Sequence, residues 1–63
     1  MTLHNPLTDT DLEDLNRALQ DSSDAEELIE LSQRAGMDVT EFRERNREAR
    51  ERLVRIKTTF FPG

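Results

Sequence analysis

This chain of 63 residues has no cysteine, which excludes disulfides, thiolate metal sites and thiol nucleophiles, and its single histidine excludes a zinc site built from imidazoles. Its net charge of −5 argues against nucleic acid or an anionic membrane as the main partner. A core this small is only marginally stable, so we expect oligomerisation to supply the stability that disulfides and metals cannot.

The first elements are an extended arm over residues 1–7 and a helix over about 9–20. Thr8 is the predicted N-cap, and Asp11 follows at the third helical position, where its carboxylate can complete a capping box. Leucines and an alanine then recur at helical spacing, which predicts an apolar stripe. The four residues "DSSD" at 21–24 are expected to interrupt this helix.

A second helix is predicted over about 24–35. Ser23 and Glu26 match a capping box, and several acids in the first turn suit the positive end of the helix dipole. Gly36 follows the last turn directly, which is typical of a helix stop. The next cap is expected at Asp38.

The third helix, over about 39–60, is predicted to be the longest because no helix breaker occurs before Pro62. Apolar residues and one asparagine recur there at alternating steps of three and four, which is a heptad seam over three repeats. Position a holds Val39, Asn46, Leu53 and Phe60, and position d holds Phe42, Ala49 and Ile56. Basic residues occupy the flanking positions, with Arg43, Arg50 and Lys57 at e, and Arg45 and Arg52 at g.

These elements predict an all-α fold, organised as a single helical domain over residues 8–63. The arrangement is either a helical hairpin or a three-helix bundle with two short N-terminal helices and one long C-terminal helix. If two copies paired in parallel along this seam, the arginines at e and g of one copy would face those of the other. We therefore expect the basic residues that flank the seam to lie opposite acidic residues, which form an acidic edge. Residues 1–38 carry ten acids and two arginines, so that edge belongs to the chain's own N-terminal half or to a neighbouring chain.

Asn46 is the polar residue of the seam. An asparagine at position a can fix the register and the number of partners if it is buried against another asparagine. The alternative is a half-exposed residue opposite the turn between the second and third helices.

The sequence predicts neither catalysis nor a cofactor. The acidic clusters lack the alternating ligand order and the glycine of a calcium loop, and the chain offers little room for a catalytic pocket. The stretch "RERNREARER" interleaves glutamate with arginine and has no aromatic stacking platform, so we expect no contact with nucleic acid. No stretch is apolar enough for a membrane span or a secretion signal.

The C-terminal end is the predicted partner-binding surface. Two adjacent phenylalanines in "TTFFPG" can act as a lid over the end of a hairpin or as a plug that docks into another protein. The residues predicted to make this contact are Arg47, Arg50, Leu53, Val54, Ile56, Lys57, Phe60 and Phe61. An alternative surface is the acidic face formed by Glu26, Glu27 and Glu30, which would bind a basic protein surface.

Two stretches, "LIELSQRAGMDVTEFRERN" and "IKTTFFPG", lie within residues 28–63 and resemble the small helical proteins encoded by tailed bacteriophages. The resemblance implies a minor virion or assembly component, or an early protein that blocks a host factor. We therefore expect a non-enzymatic protein of the host cytoplasm or the virion that oligomerises and contacts a larger protein. The alternatives are an inhibitor of a host protein and an oligomer whose arginines sequester a phosphorylated small ligand.

Overall fold

The computed structural model describes residues 5–62, which form two antiparallel α-helices joined by a short turn. Helix α1 spans Asp9–Arg34 and helix α2 spans Thr40–Phe60. No strand occurs in this part of the chain, so the all-α prediction is confirmed. The predicted arm and domain also included residues 1–4 and 63, which lie outside the described residues.

The prediction of two short N-terminal helices, and with it the three-helix bundle, is wrong. Helix α1 continues through "DSSD" because the polar side chains there find partners without leaving helical geometry. Gln20 Nε2 donates to Asp24 Oδ1 at 3.0 Å, and Ser22 Oγ donates to Asn46 Oδ1 of α2 at 3.0 Å. Ser23 is therefore an interior residue of α1 and does not cap a second helix.

The start of α1 follows the sequence prediction. Asp11 N donates to Thr8 Oγ1 at 3.2 Å, and Thr8 N donates to Asp11 Oδ2 at 2.8 Å, so the predicted capping box is confirmed. Just before it, Asn5 Oδ1 accepts from Leu7 N at 2.9 Å, while Asn5 Nδ2 donates to the Phe60 carbonyl at 2.8 Å. The segment before α1 is thereby joined to the end of α2.

The turn between the helices begins with a Schellman motif. Met37 N donates to Ser32 O at 3.1 Å and Gly36 N donates to Gln33 O at 3.0 Å, with Gly36 at a φ of 91°. The predicted cap residue Asp38 precedes the N-cap, which is Val39. Its carboxylate nevertheless accepts from the Thr40 backbone N–H at 3.1 Å, which satisfies the first free donor of α2.

The hairpin is long and thin. It measures 55 × 17 × 15 Å and has a radius of gyration of 15.0 Å, whereas a compact chain of this length has one of about 11 Å. Among residues 5–62, the buried apolar side chains are Ile29 and Val39, which are 9% and 5% exposed and lie near the turn. Two helices alone therefore leave much apolar surface in contact with solvent.

Candidate interaction surface

Helix α1 covers one side of the α2 seam and leaves the other side open. Val39 at position a is buried and Leu53 at the same position is half-buried, whereas Phe42 and Ala49 at position d are exposed. The flanking residues divide in the same way. Arg43 and Lys57 at e are half-buried, while Arg45 and Arg52 at g are exposed. Near the turn, the seam therefore meets its own N-terminal half at Val39 and Arg43, while Phe42 and Arg45 face away from it. Further along α2, Leu53 at a and Ile56 at d are both half-buried.

An apolar groove lies on this open side, next to the turn. It has a volume of about 370 Å³, and we call it the turn-end groove. Leu28, Met37 and Phe42 are its large exposed side chains, with 65%, 56% and 58% of their surface accessible, and Leu31 is 58% exposed close by. The full lining consists of Ala25, Leu28, Ile29, Ser32, Met37, Val39, Phe42 and Asn46.

Local sequence explains the shape of the groove. Ala25, Leu28 and Ser32 follow one another at steps of three and four on α1, which places them on one side of that helix. Small side chains at positions 25 and 32 leave space above the buried Ile29 and Val39. The turn then holds Met37 at the end of the groove, which it lines together with Phe42.

The turn-end groove has an acidic edge and a basic edge. Asp24 lies one turn before Leu28 on α1, and Arg45 lies about one turn after Phe42 on α2; both are exposed. Asp24 accepts from Gln20, and Arg45 forms an ion pair with Glu41. Because these partners are exposed residues of the same helix, both charges remain accessible to solvent and to a binding partner.

The structure divides the predicted C-terminal surface between two sides of the hairpin. Leu53 and Ile56 are half-buried and line a depression of about 320 Å³ against Leu15 and Ala18 of α1. A separate depression contains Val54, which is 43% exposed, with Arg50, Glu51 and Arg55.

At the end of α2, the predicted partner residues differ in exposure. Phe60 is 37% exposed, whereas Phe61 and Lys57 are half-buried. Arg47 is exposed, but it donates to Glu44 and also forms an ion pair with Glu51 at 3.5 Å. The hydrogen bond from Arg47 to Glu44 raises the pKa of Arg47 above its ordinary value. A partner that bound Arg47 would have to displace these carboxylates.

The alternative acidic face contains arginines of the same chain. Glu26 and Glu30 line a shallow depression of about 440 Å³ together with Gln33, Arg34 and Arg43, and Glu27 is exposed elsewhere on α1. Arg43 NH2 donates to Gln33 Oε1 at 2.8 Å. Two positive charges beside Glu26 and Glu30 weaken the negative field that this face presents.

The sequence analysis missed the turn-end groove because it did not separate the directions of Leu28, Ile29 and Leu31. Side chains one residue apart differ in direction by about 100° on a helix, so these three cannot all face a single neighbouring helix. That angular spread was the signal of an apolar surface outside the hairpin contact.

The described residues hold no cluster of three or more acidic or histidine side chains able to bind a metal ion. None of their helices is long and apolar enough to cross a membrane. No family model, curated protein or solved structure matches this chain.

Proposed function

We propose that this chain is a non-enzymatic helical accessory protein, of the kind that tailed bacteriophages encode for the virion or its assembly. It works by protein–protein contact, both with copies of itself and with a larger protein. The observation that carries this proposal is the turn-end groove, where Leu28, Met37 and Phe42 are each more than half exposed. Contiguous exposed apolar surface on a small protein is typical of an interaction site.

Self-association is supported by the balance between buried and exposed apolar side chains. Ile29 and Val39 are buried, whereas six large apolar side chains of the described residues are exposed. Covering a leucine or phenylalanine stabilises a protein by about 1.5–3 kcal/mol. An assembled form therefore gains much more from apolar burial than the isolated hairpin does.

Contact with a larger protein is assigned to the C-terminal end of α2. Val54 and Phe60 remain exposed there, and Arg50 and Arg55 line a depression with Val54. Phenylalanine and arginine are both enriched at protein interfaces relative to the rest of the surface. This surface is distinct from the turn-end groove, so the same chain could assemble and bind a different protein at once.

Sedimentation equilibrium between micromolar and millimolar concentrations tests the proposal. We expect an oligomer of defined mass, and we expect Leu28→Asp to shift the equilibrium towards monomer without loss of helicity in circular dichroism. Thr10→Asp, at an exposed position of the first turn of α1, is the matched control and should leave association unchanged. A wild-type chain that stays monomeric throughout would contradict the self-assembly part of the proposal.

A second candidate is an inhibitor that binds a basic surface of a host protein through Glu26, Glu27 and Glu30. Their exposure favours it, and the neighbouring Arg34 and Arg43 count against it. Reversing all three glutamates to lysine should abolish binding of a basic partner but leave self-association intact. Sequestration of a phosphorylated ligand ranks third, since Arg45 and Arg47 already pair with glutamates.

A further inference from the structure

We propose that the turn-end groove binds the same groove of a second copy, with both turns at the same end of a four-helix bundle. In this pairing α1 of each copy faces α2 of the other, and the two-fold axis runs parallel to the helices. The inference rests on the self-contact in the proposed function and names the surface and the arrangement that produce it.

The surface area available is sufficient for such a pairing. The accessible surface of the chain is 5302 Å². A compact monomer of 7.3 kDa exposes about 4,200 Å². The excess, roughly 1,100 Å², exceeds the 800 Å² or so that each partner buries in an interface of standard size. The hairpin therefore exposes enough surface, beyond that of a compact monomer, to form an interface of standard size with a second copy.

The heights of the groove residues, meaning their positions along the long axis of the hairpin, determine which side chains contact each other across the interface. Leu28 and Phe42 line the same groove, so they lie at similar heights along the hairpin. A two-fold axis parallel to the helices preserves these heights and exchanges the helices. Leu28 of one copy then contacts Phe42 of the second copy, and the two apolar grooves close on each other.

The charges beside the groove favour the same arrangement. Asp24 lies about one helical turn farther from the hairpin turn than Leu28 does on α1, and Arg45 lies about one helical turn farther from it than Phe42 does on α2. Asp24 of each copy is thereby opposite Arg45 of the second copy. With the turns at opposite ends, the mainly acidic α1 would face α1 and the mainly basic α2 would face α2, which disfavours that pairing.

Cysteine cross-linking tests the arrangement directly, because the natural chain has no cysteine. The variants Leu28→Cys and Phe42→Cys are mixed under reducing conditions and then oxidised. We expect the mixed disulfide between the two variants, and much less disulfide when either variant is oxidised alone. Glu30→Cys mixed with Phe42→Cys is the control and should remain uncrosslinked, because Glu30 lies on the opposite side of α1 from the groove.

The other outcomes overturn the inference in distinguishable ways. Cross-linking of Leu28→Cys mainly to itself would show that the turns lie at opposite ends. An oligomer in sedimentation without any cross-link among these variants would remove the groove pairing but leave the proposed function standing. A monomer in sedimentation would remove both.

Charge reversal supplies an independent test that needs no disulfide. Asp24→Arg and Arg45→Asp should each weaken self-association by roughly tenfold, because each creates two like-charge contacts in a symmetric pair. An equimolar mixture of the two variants should associate about as well as the natural chain. Both positions are exposed, so helicity should be retained, and a mixture that associates no better than its components would overturn the pairing.

Discussion

Ser22 of α1 and Asn46 of α2 bind each other through two hydrogen bonds. Ser22 Oγ donates to Asn46 Oδ1 at 3.0 Å, and Asn46 Nδ2 donates to the Ser22 carbonyl at 3.0 Å. Ser22 is 6% exposed, so this pair lies inside the contact between the helices. Sliding one helix along the other would break both bonds, so the pair opposes a change of hairpin register.

A double-mutant cycle can measure how much the Ser22–Asn46 hydrogen bonds contribute to the free energy of unfolding. Ser22→Ala leaves Asn46 Oδ1 without its donor and should lower the free energy of unfolding by about 1 kcal/mol, with a coupling to Asn46→Ala of similar size. Urea unfolding at fixed protein concentration measures both. Ser23→Ala is the control, because the hydrogen bond that Ser23 Oγ accepts from Arg50 NH1 is long, at 3.4 Å. Equal losses at the two serines would contradict the assignment.

The continuity of α1 can be tested with proline. Asp24→Pro should lower stability by about 3 kcal/mol, because it removes a helical hydrogen bond and clashes with the preceding turn. If a new helix began after Ser23, position 24 would be its first helical residue, where proline is tolerated. Asp9→Pro is the matched control, since Asp9 begins α1 and Thr8 before it is already extended. Thermal unfolding followed by circular dichroism compares the two variants, and equal stability would mean that α1 is broken.

The turn depends on a left-handed residue at position 36. Gly36→Ala should cost about 1 kcal/mol from backbone strain alone, because no neighbouring atom lies within 4 Å of an added Cβ. Gly36→Asn should cost less, since asparagine tolerates this conformation better than alanine. Urea unfolding of both variants measures the difference. An alanine variant as stable as the natural chain would show that the turn adopts another conformation.

Acid should weaken the turn through Asp38. The backbone hydrogen bond from Thr40, supported by the Thr40 hydroxyl, holds the pKa of Asp38 below its ordinary value. The folded state therefore binds this proton less readily than the unfolded state. The stabilisation is complete above the ordinary aspartate pKa and is lost as the pH falls through the lower, folded value.

Asp38→Asn checks this dependence, because its side-chain oxygen can still accept the Thr40 bond but does not titrate. The free energy of unfolding is measured from about pH 5 to about pH 2, where carboxylates protonate. It should fall less steeply with decreasing pH in the variant than in the natural chain. Asp9→Asn, at an exposed acid in the first turn of α1, is the comparison. The same acid slope in Asp38→Asn and in the natural chain would sink the assignment.

Local interactions could be predicted from the sequence, and long-range ones could not. The capping box of Thr8 and Asp11 involves residues three apart, so the sequence contains all its information. The continuity of α1 at Ser22 depends on Asn46, which lies 24 positions away. Without that partner, a run of serine and aspartate reads as a helix boundary.

The turn-end groove was missed for the same physical reason. The heptad pattern predicts an apolar seam on α2 that includes Phe42, but periodicity does not say which side of a seam a neighbouring helix covers. That side depends on the direction in which the turn at Gly36 brings the chain back. Phe42 and Leu28 are exposed because α1 and α2 pack on the other side of the seam, and this packing direction is visible only in the folded chain.

The two ends of the hairpin are held together by different interactions, and this difference determines at which end the helices separate first. Near the turn, Ile29 and Val39 are buried and the chain is continuous, whereas the far end is joined by the bond from Asn5 to the Phe60 carbonyl. Local opening should therefore begin at the far end, where backbone amides would exchange with deuterium soonest. Since the groove lies at the other end, a molecule whose helix ends have separated retains the surface proposed for pairing.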